Sequence, residues 1–123
     1  MNSSDLKKRT KVFALEIIKL VNLLPQSNIS QIISKQILRS ATSVGANYRV
    51  VSRAKSNKDF INKLKICEEE SDETIYWLEL IEESGLLKNE LTEKLIKEAN
   101  ELTSIFVASI NTTKKKLNQK SNI

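Results

Sequence analysis

Apolar residues recur at intervals of three and four in four successive blocks, and the breaks between the blocks fall at turn-forming or capping residues. This spacing puts one apolar stripe along each of four helices, since residues three and four apart share a helical face. The first block runs from about Ser4 to Leu24, with Leu6, Phe13, Ile17, Leu20, Val21 and Leu24 on its stripe and Pro25 stopping it. The second begins at Ser27 or Asn28, either a good N-cap, and carries Ile29, Ile33, Ile37, Ala41, Val44, Tyr48 and Val51. Ser56 and Asp59 make a capping-box-like start to the third, whose stripe is Phe60, Leu64, Cys67, Ser71, Ile75, Leu78 and Ile81 or Glu82, with Gly85 ending it. Asn89 opens the fourth, with Leu91, Leu95, Ala99, Leu102, Phe106, Ile110 and Leu117 in line. Four helices with short joints predict an all-α, antiparallel up-down-up-down four-helix bundle. The expected division is a bundle domain over 1–117 and a flexible basic tail over 118–123.

Composition agrees with that pattern and narrows the chemistry. A chain of 123 residues supports one core. With 2 Gly, 1 Pro and 6 aromatic residues, it lacks the turn residues and the β-branched alternation that a sheet would need. No apolar run approaches the roughly 20 residues needed to cross a bilayer, and no export signal is visible, so the expected location is the cytoplasm. The single cysteine, Cys67, lies on the third stripe and is expected to be a small buried hydrophobe in a reducing compartment. The chain has no histidine, which removes imidazole acid–base catalysis, histidine-activated nucleophiles and the usual zinc sites. The carboxylates could form a metal site only without the Glu-x-x-His element that bundle di-metal centres draw on. No cofactor, metal or enzymatic activity is expected.

Charge is sorted along the chain. Residues 1–67 hold 13 Lys/Arg against 3 Asp/Glu, residues 68–83 hold 8 acids and no base, and residues 84–123 hold 7 bases against 4 acids, consistent with the net +5. At about 100° per residue, Lys35, Arg39, Arg49 and Arg53 fall in one stripe of the second helix, opposite its apolar seam. For a solitary helix this would be a solvated face; for a binding protein it is a phosphate track, because the planar fork of arginine suits phosphate and carboxylate. Folding the second hairpin about Ala54–Ser56 puts Arg39 at the level of Asp72. Arg49 and Arg53 lie about 10 to 20 Å along the axis from Glu69 and Glu73, so they need another partner. Val12, Leu15, Ile18 and Leu23 lie off the seam of the first helix, and Ile66 and Trp77 lie off that of the third. These residues are expected to be exposed in a monomer and covered in an oligomer. Gly45, inside the second helix, is expected to mark close approach of a neighbouring backbone.

The run from Ser40 to Leu80 resembles the bacterial four-helix bundle family first associated with intervening sequences of 23S rRNA genes. The resemblance rests on the order Ser43, Asn47, Arg53, Asp59, Phe60, Ile66, Glu69, Asp72, Glu73 and Trp77. Relatives often follow the Asn-Tyr-Arg element with Glu and a small residue, where this chain has Val50 and Val51. The resemblance implies a ring-like homopentamer without a recognised enzymatic activity. A related branch, the accessory variability proteins of diversity-generating retroelements, pairs with a reverse transcriptase and nucleic acid through a basic surface.

Two functions from different classes follow. In the first, a non-catalytic accessory protein contacts RNA or DNA phosphates through Lys35, Arg39, Arg49, Arg53, Lys114, Lys115 and Lys116. In the second, a scaffold uses its charges for self-assembly, Arg49 and Arg53 pairing with Glu69, Asp72 or Glu73 of a neighbouring copy. The expected oligomer interface comprises Val12, Leu15, Ile18, Ile66, Glu69, Asp72, Glu73 and Trp77.

Overall fold

The protein, described here over residues 2–121 from a computed structural model, contains four α-helices in the order α1 (Ser3–Leu23), α2 (Asn28–Tyr48), α3 (Asn57–Glu83) and α4 (Glu90–Ser121). A short 3-10 turn, Val51–Arg53, links α2 to α3. Each start is fixed locally. The Asn2 side chain accepts the N–H of Asp5 at 2.9 Å, Ser27 Oγ that of Ser30 at 3.1 Å, and Ser56 Oγ that of Asp59 at 3.0 Å. Such caps each contribute about 0.5–2 kcal/mol by satisfying an orphan donor. Asp59 also accepts the N–H of Lys55 at 3.0 Å, which ties the α2–α3 turn to the first turn of α3. At the far end of α3, Gly85 takes φ +74°, a left-handed conformation that closes the helix without a Cβ penalty.

Short connections make consecutive helices antiparallel neighbours, and α1 closes on α4. The core is filled by Phe13, Ile17 and Leu20 from α1, Ile37 and Val44 from α2, Leu64, Leu78 and Ile81 from α3, and Leu102 and Phe106 from α4. Tyr48 packs its ring 5.9 Å from that of Phe106. Two hydroxyl contacts, a buried one between Ser40 and Thr74 at 2.8 Å and a part-buried one between Ser71 and Thr103 at 2.7 Å, fix the levels of α2, α3 and α4 relative to one another. Gly45 meets α1 as expected: a Cβ there would stand 3.4 Å from the Thr10 carbonyl oxygen. Cys67 is fully buried, its Sγ 3.7 Å from the carbonyl of Val44, and desolvation pushes its thiol up to about 12.

Three expectations require correction. Ile29 is 61% exposed, because the first turn of α2 lies at the end of the core; Ser30 is buried there instead. Trp77 is half-buried against the core and donates its indole N–H to Glu73 at 3.1 Å, leaving Tyr76 as the exposed aromatic. The seam of α3 is wide enough to bury Thr74, which turns the flank bearing Trp77 inward. Arg53 lies outside α2, in the 3-10 turn, so the helical phase that aligned it with Lys35 and Arg39 does not reach it. The segment from Asn118 continues α4 as helix through Ser121, and residues 122 and 123 lie outside the described region.

Candidate nucleic-acid interface

At the α2–α3 turn, the N-termini of α1 and α3 meet the C-termini of α2 and α4. Segments 2–13, 43–67 and 104–121 form this half of the bundle, and they hold 14 of the 20 Lys/Arg but only 2 of the 15 Asp/Glu. The other half holds the remaining 6 bases and 13 acids, so the bundle is polarised along its axis. Local rules account for part of this. Asp5 and Asp59 sit in the first turns of α1 and α3, while Arg49 caps α2 and Lys114, Lys115 and Lys116 lie in the closing turns of α4. Each sign matches the helix terminus beside it. The surplus of lysines goes beyond that match, and their mutual repulsion is relieved by anions.

Arg49 is exposed beside a groove of about 400 Å³ between α1 and α2. Lys7, Lys8 and Lys11 from α1 line the same groove, and its floor is small: Thr10, Ala14, Gly45 and Ala46. The absent side chain at Gly45 lets the α1 backbone close in, which brings the α1 lysines to Arg49. Lys7 donates to Ser52 at 3.3 Å, which orients it towards the α2–α3 turn. Arg49 and Arg53 make no ion pair with the described residues.

The other expected contacts are distributed differently. Arg39 donates to Glu70 at 3.1 Å and to Glu73, and these carboxylates raise its pKa, with the hydrogen bond to Glu73 the largest cause. The hairpin register is therefore as expected, but the partners lie on the flank of α3 facing α2, while Asp72 is exposed. Lys35 is exposed near the α1–α2 turn, 14 residues before Arg49 and thus about 21 Å away at helical rise. It does not share a site with Arg49. Lys114, Lys115 and Lys116 are exposed on α4 at the basic end.

Sequence reasoning missed Lys7, Lys8 and Lys11, although folding the first hairpin about Pro25–Ser27 places them opposite Arg49. It also missed Arg9, which bridges α1 to α4 by a two-pronged contact with Glu98 (2.7 and 2.5 Å) and a further bond to Glu101 at 2.5 Å. Of the expected interface residues, Val12, Leu15, Ile18 and Ile66 are 55%, 51%, 42% and 41% exposed. Glu69 and Asp72 are exposed too, whereas Glu73 and Trp77 are half-buried. Among the described residues no group of three or more His, Cys, Asp or Glu could hold a metal ion, and no helix is long and apolar enough to cross a membrane.

The sequence matches the family model described as 23S rRNA-intervening sequence protein over residues 2–108. The chain belongs to that family. A solved structure from Bacteroides thetaiotaomicron, described as a protein with unknown function from the S23 ribosomal protein family, is 37% identical and superimposes with a TM-score of 0.79. The similarity covers 90% of this chain and 99% of that one. No curated protein matches the sequence. Membership carries the four-helix bundle, and the matched region spans all of α1, α2 and α3 and most of α4. The family's function is unknown.

Proposed function

We propose that this protein is a non-catalytic, homo-oligomeric accessory factor of the cytoplasm that binds RNA or DNA through the phosphate backbone. The proposal extends to a pentameric ring, as the family resemblance implies. The observation that carries it is Arg49, exposed beside Lys7, Lys8 and Lys11 with no ion pair to the described residues. A cluster of four cations around one groove holds phosphates and releases counterions, so affinity falls steeply with salt. Arg53 and Lys114–Lys116 extend the basic surface on the same end. Backbone contacts of this kind position a protein without reading sequence, and the half-buried Trp77 lies on the other half of the bundle, away from any strand bound there. Arg39 is not part of this surface, since Glu70 and Glu73 occupy it. A gel shift with single- and double-stranded RNA and DNA at low salt tests the proposal; no retention of any of them refutes it.

A second reading is a self-assembling scaffold, in which Arg49 and Arg53 meet Glu69 or Asp72 of a neighbouring copy. It is favoured by the exposure of both carboxylates, which make no ion pair with the described residues. Arg53→Ala separates the two: the scaffold loses its assembly, the nucleic-acid binder only affinity.

A further inference from the structure

We infer that the groove between α1 and α2 is a seat for a nucleotide bearing a terminal 5′-phosphate, its base on the small-residue floor and its phosphate among the cations at the mouth. This rests on the phosphate binding proposed above and adds which phosphate is preferred. The groove has two unlike ends. Thr10 stands against Gly45 and the two helices are antiparallel, so Arg49, four residues beyond Gly45, faces the level of Lys7. Lys7, Lys8, Lys11 and Arg49 therefore gather within about one helical turn, roughly 6 Å along the axis. Ala14 and Thr42 line the inner end, and no open cation follows them. The next one on α2, Arg39, is held by Glu70 and Glu73, and the next on α1, Lys19, meets Glu16. A strand entering at the mouth has no basic track to follow inward, so it ends there.

Charge density points the same way. No carboxylate lines the groove, and its four cations make no ion pair with the described residues. Over about 6 Å, a strand advancing about 3.4 Å per nucleotide presents about two diester phosphates, a charge of about −2. Four positive charges exceed that. A terminal phosphate monoester carries about −1.5 to −2 by itself at neutral pH. With the diester on the other side of the same sugar, an end nucleotide brings about −3 to the mouth.

The floor suits a base that is held without being read. The groove's volume of about 400 Å³ falls within the roughly 300–1,000 Å³ of small-molecule sites. Both hydroxyls in the lining are committed to their own helices: Thr10 donates to the Leu6 carbonyl at 2.8 Å and Thr42 to that of Leu38 at 2.6 Å. With Ala14, Gly45 and Ala46 they leave a shallow apolar floor that has no neutral donor for a base edge, so any base is accepted. An end nucleotide is stacked on one side only, and seating its base costs less than extruding one from within a strand.

Fluorescence anisotropy of the full chain with two 3′-labelled single-stranded oligonucleotides of one sequence, one 5′-phosphorylated and one 5′-hydroxyl, tests the preference. The phosphorylated strand is expected to bind about tenfold tighter, the gain of one charge-assisted contact. Ala46, Lys8 and Lys11 are exposed, so substitutions there leave the core intact. Ala46→Leu, which fills the floor without changing charge, and Lys8→Gln/Lys11→Gln, which thins the mouth, are each expected to abolish the difference with unchanged helical circular dichroism. Equal affinities for the two strands in wild type, or a preference that survives either folded variant, overturns the inference and leaves backbone binding standing. Affinity for the phosphorylated strand alone supports the inference and overturns backbone binding; affinity for neither overturns both. Competition with a nucleoside 5′-monophosphate then separates the sources. Displacement near the strand's own Kd assigns the seat to free nucleotides, and displacement only far above it assigns the seat to strand ends. Inorganic phosphate competing as well as the nucleotide overturns the seat for the base.

Discussion

Glu73 on α3 holds Arg39 on α2 and, with the same carboxylate oxygen, accepts the indole N–H of Trp77 at 3.1 Å. Arg39 thus belongs to the α2–α3 contact, and the cations open to a ligand begin at Arg49. Its side chain is 51% exposed, so solvent screens the pair. Arg39→Ala is expected to lower the urea midpoint only slightly, because solvent screens an exposed pair, and to leave nucleic-acid affinity unchanged in a gel shift.

Gly45 sets the approach of α1 to α2. A Cβ there only touches the Thr10 carbonyl, at 3.4 Å, but the γ carbons of valine must displace it. Gly45→Val is expected to lower stability by about 1–3 kcal/mol through overpacking, measured by thermal or chemical denaturation. The same change widens the α1–α2 contact, so it should also weaken nucleic-acid binding by separating Arg49 from Lys7, Lys8 and Lys11.

The buried Cys67 thiol makes a prediction with a defined sign. Its pKa in the folded chain is raised from the ordinary 9.0 to about 12, with desolvation the first cause. The folded state therefore keeps a proton that the unfolded state releases. The stabilisation is complete below pH 9 and is lost as pH rises from 9 to about 12. Cys67→Ala should flatten that alkaline decline, at the cost of packing. At neutral pH the native thiol should resist a disulfide reagent until the chain is denatured; rapid labelling of folded protein would contradict its burial.

Much of the fold was legible because its signals are local. Ser27 and Ser56 are caps by residue type and position, and Pro25 and Gly85 bound helices by their backbone chemistry. Arg39 shows where that legibility ends. Hairpin counting gave its level on α3, but one residue of turn rotates the partner by about 100°, and the contact went to Glu70 and Glu73 instead of Asp72. Trp77 is covered and Tyr76 exposed for the same reason: adjacent residues lie on different flanks, and which flank is covered depends on how α2 leans on α3. Arg9 with Glu98 joins the first helix to the last, a pairing across the whole chain with no local mark. The basic groove had a readable clue in Gly45, but its lysines sit on α1, whereas the charge pattern drew attention to α2.

The most direct test of phosphate binding at the α2–α3 end is the salt dependence of affinity for a short DNA duplex, measured by fluorescence anisotropy for wild type and for Arg49→Ala/Arg53→Ala. Each phosphate neutralised contributes about −0.9 to the slope of log affinity against log salt. The wild type should bind with a steep slope, and the double variant, still folded and assembled, should bind more weakly with a slope shallower by roughly 1.8. Absence of binding by the assembled wild type at low salt, or an unchanged slope in the variant, would contradict the account.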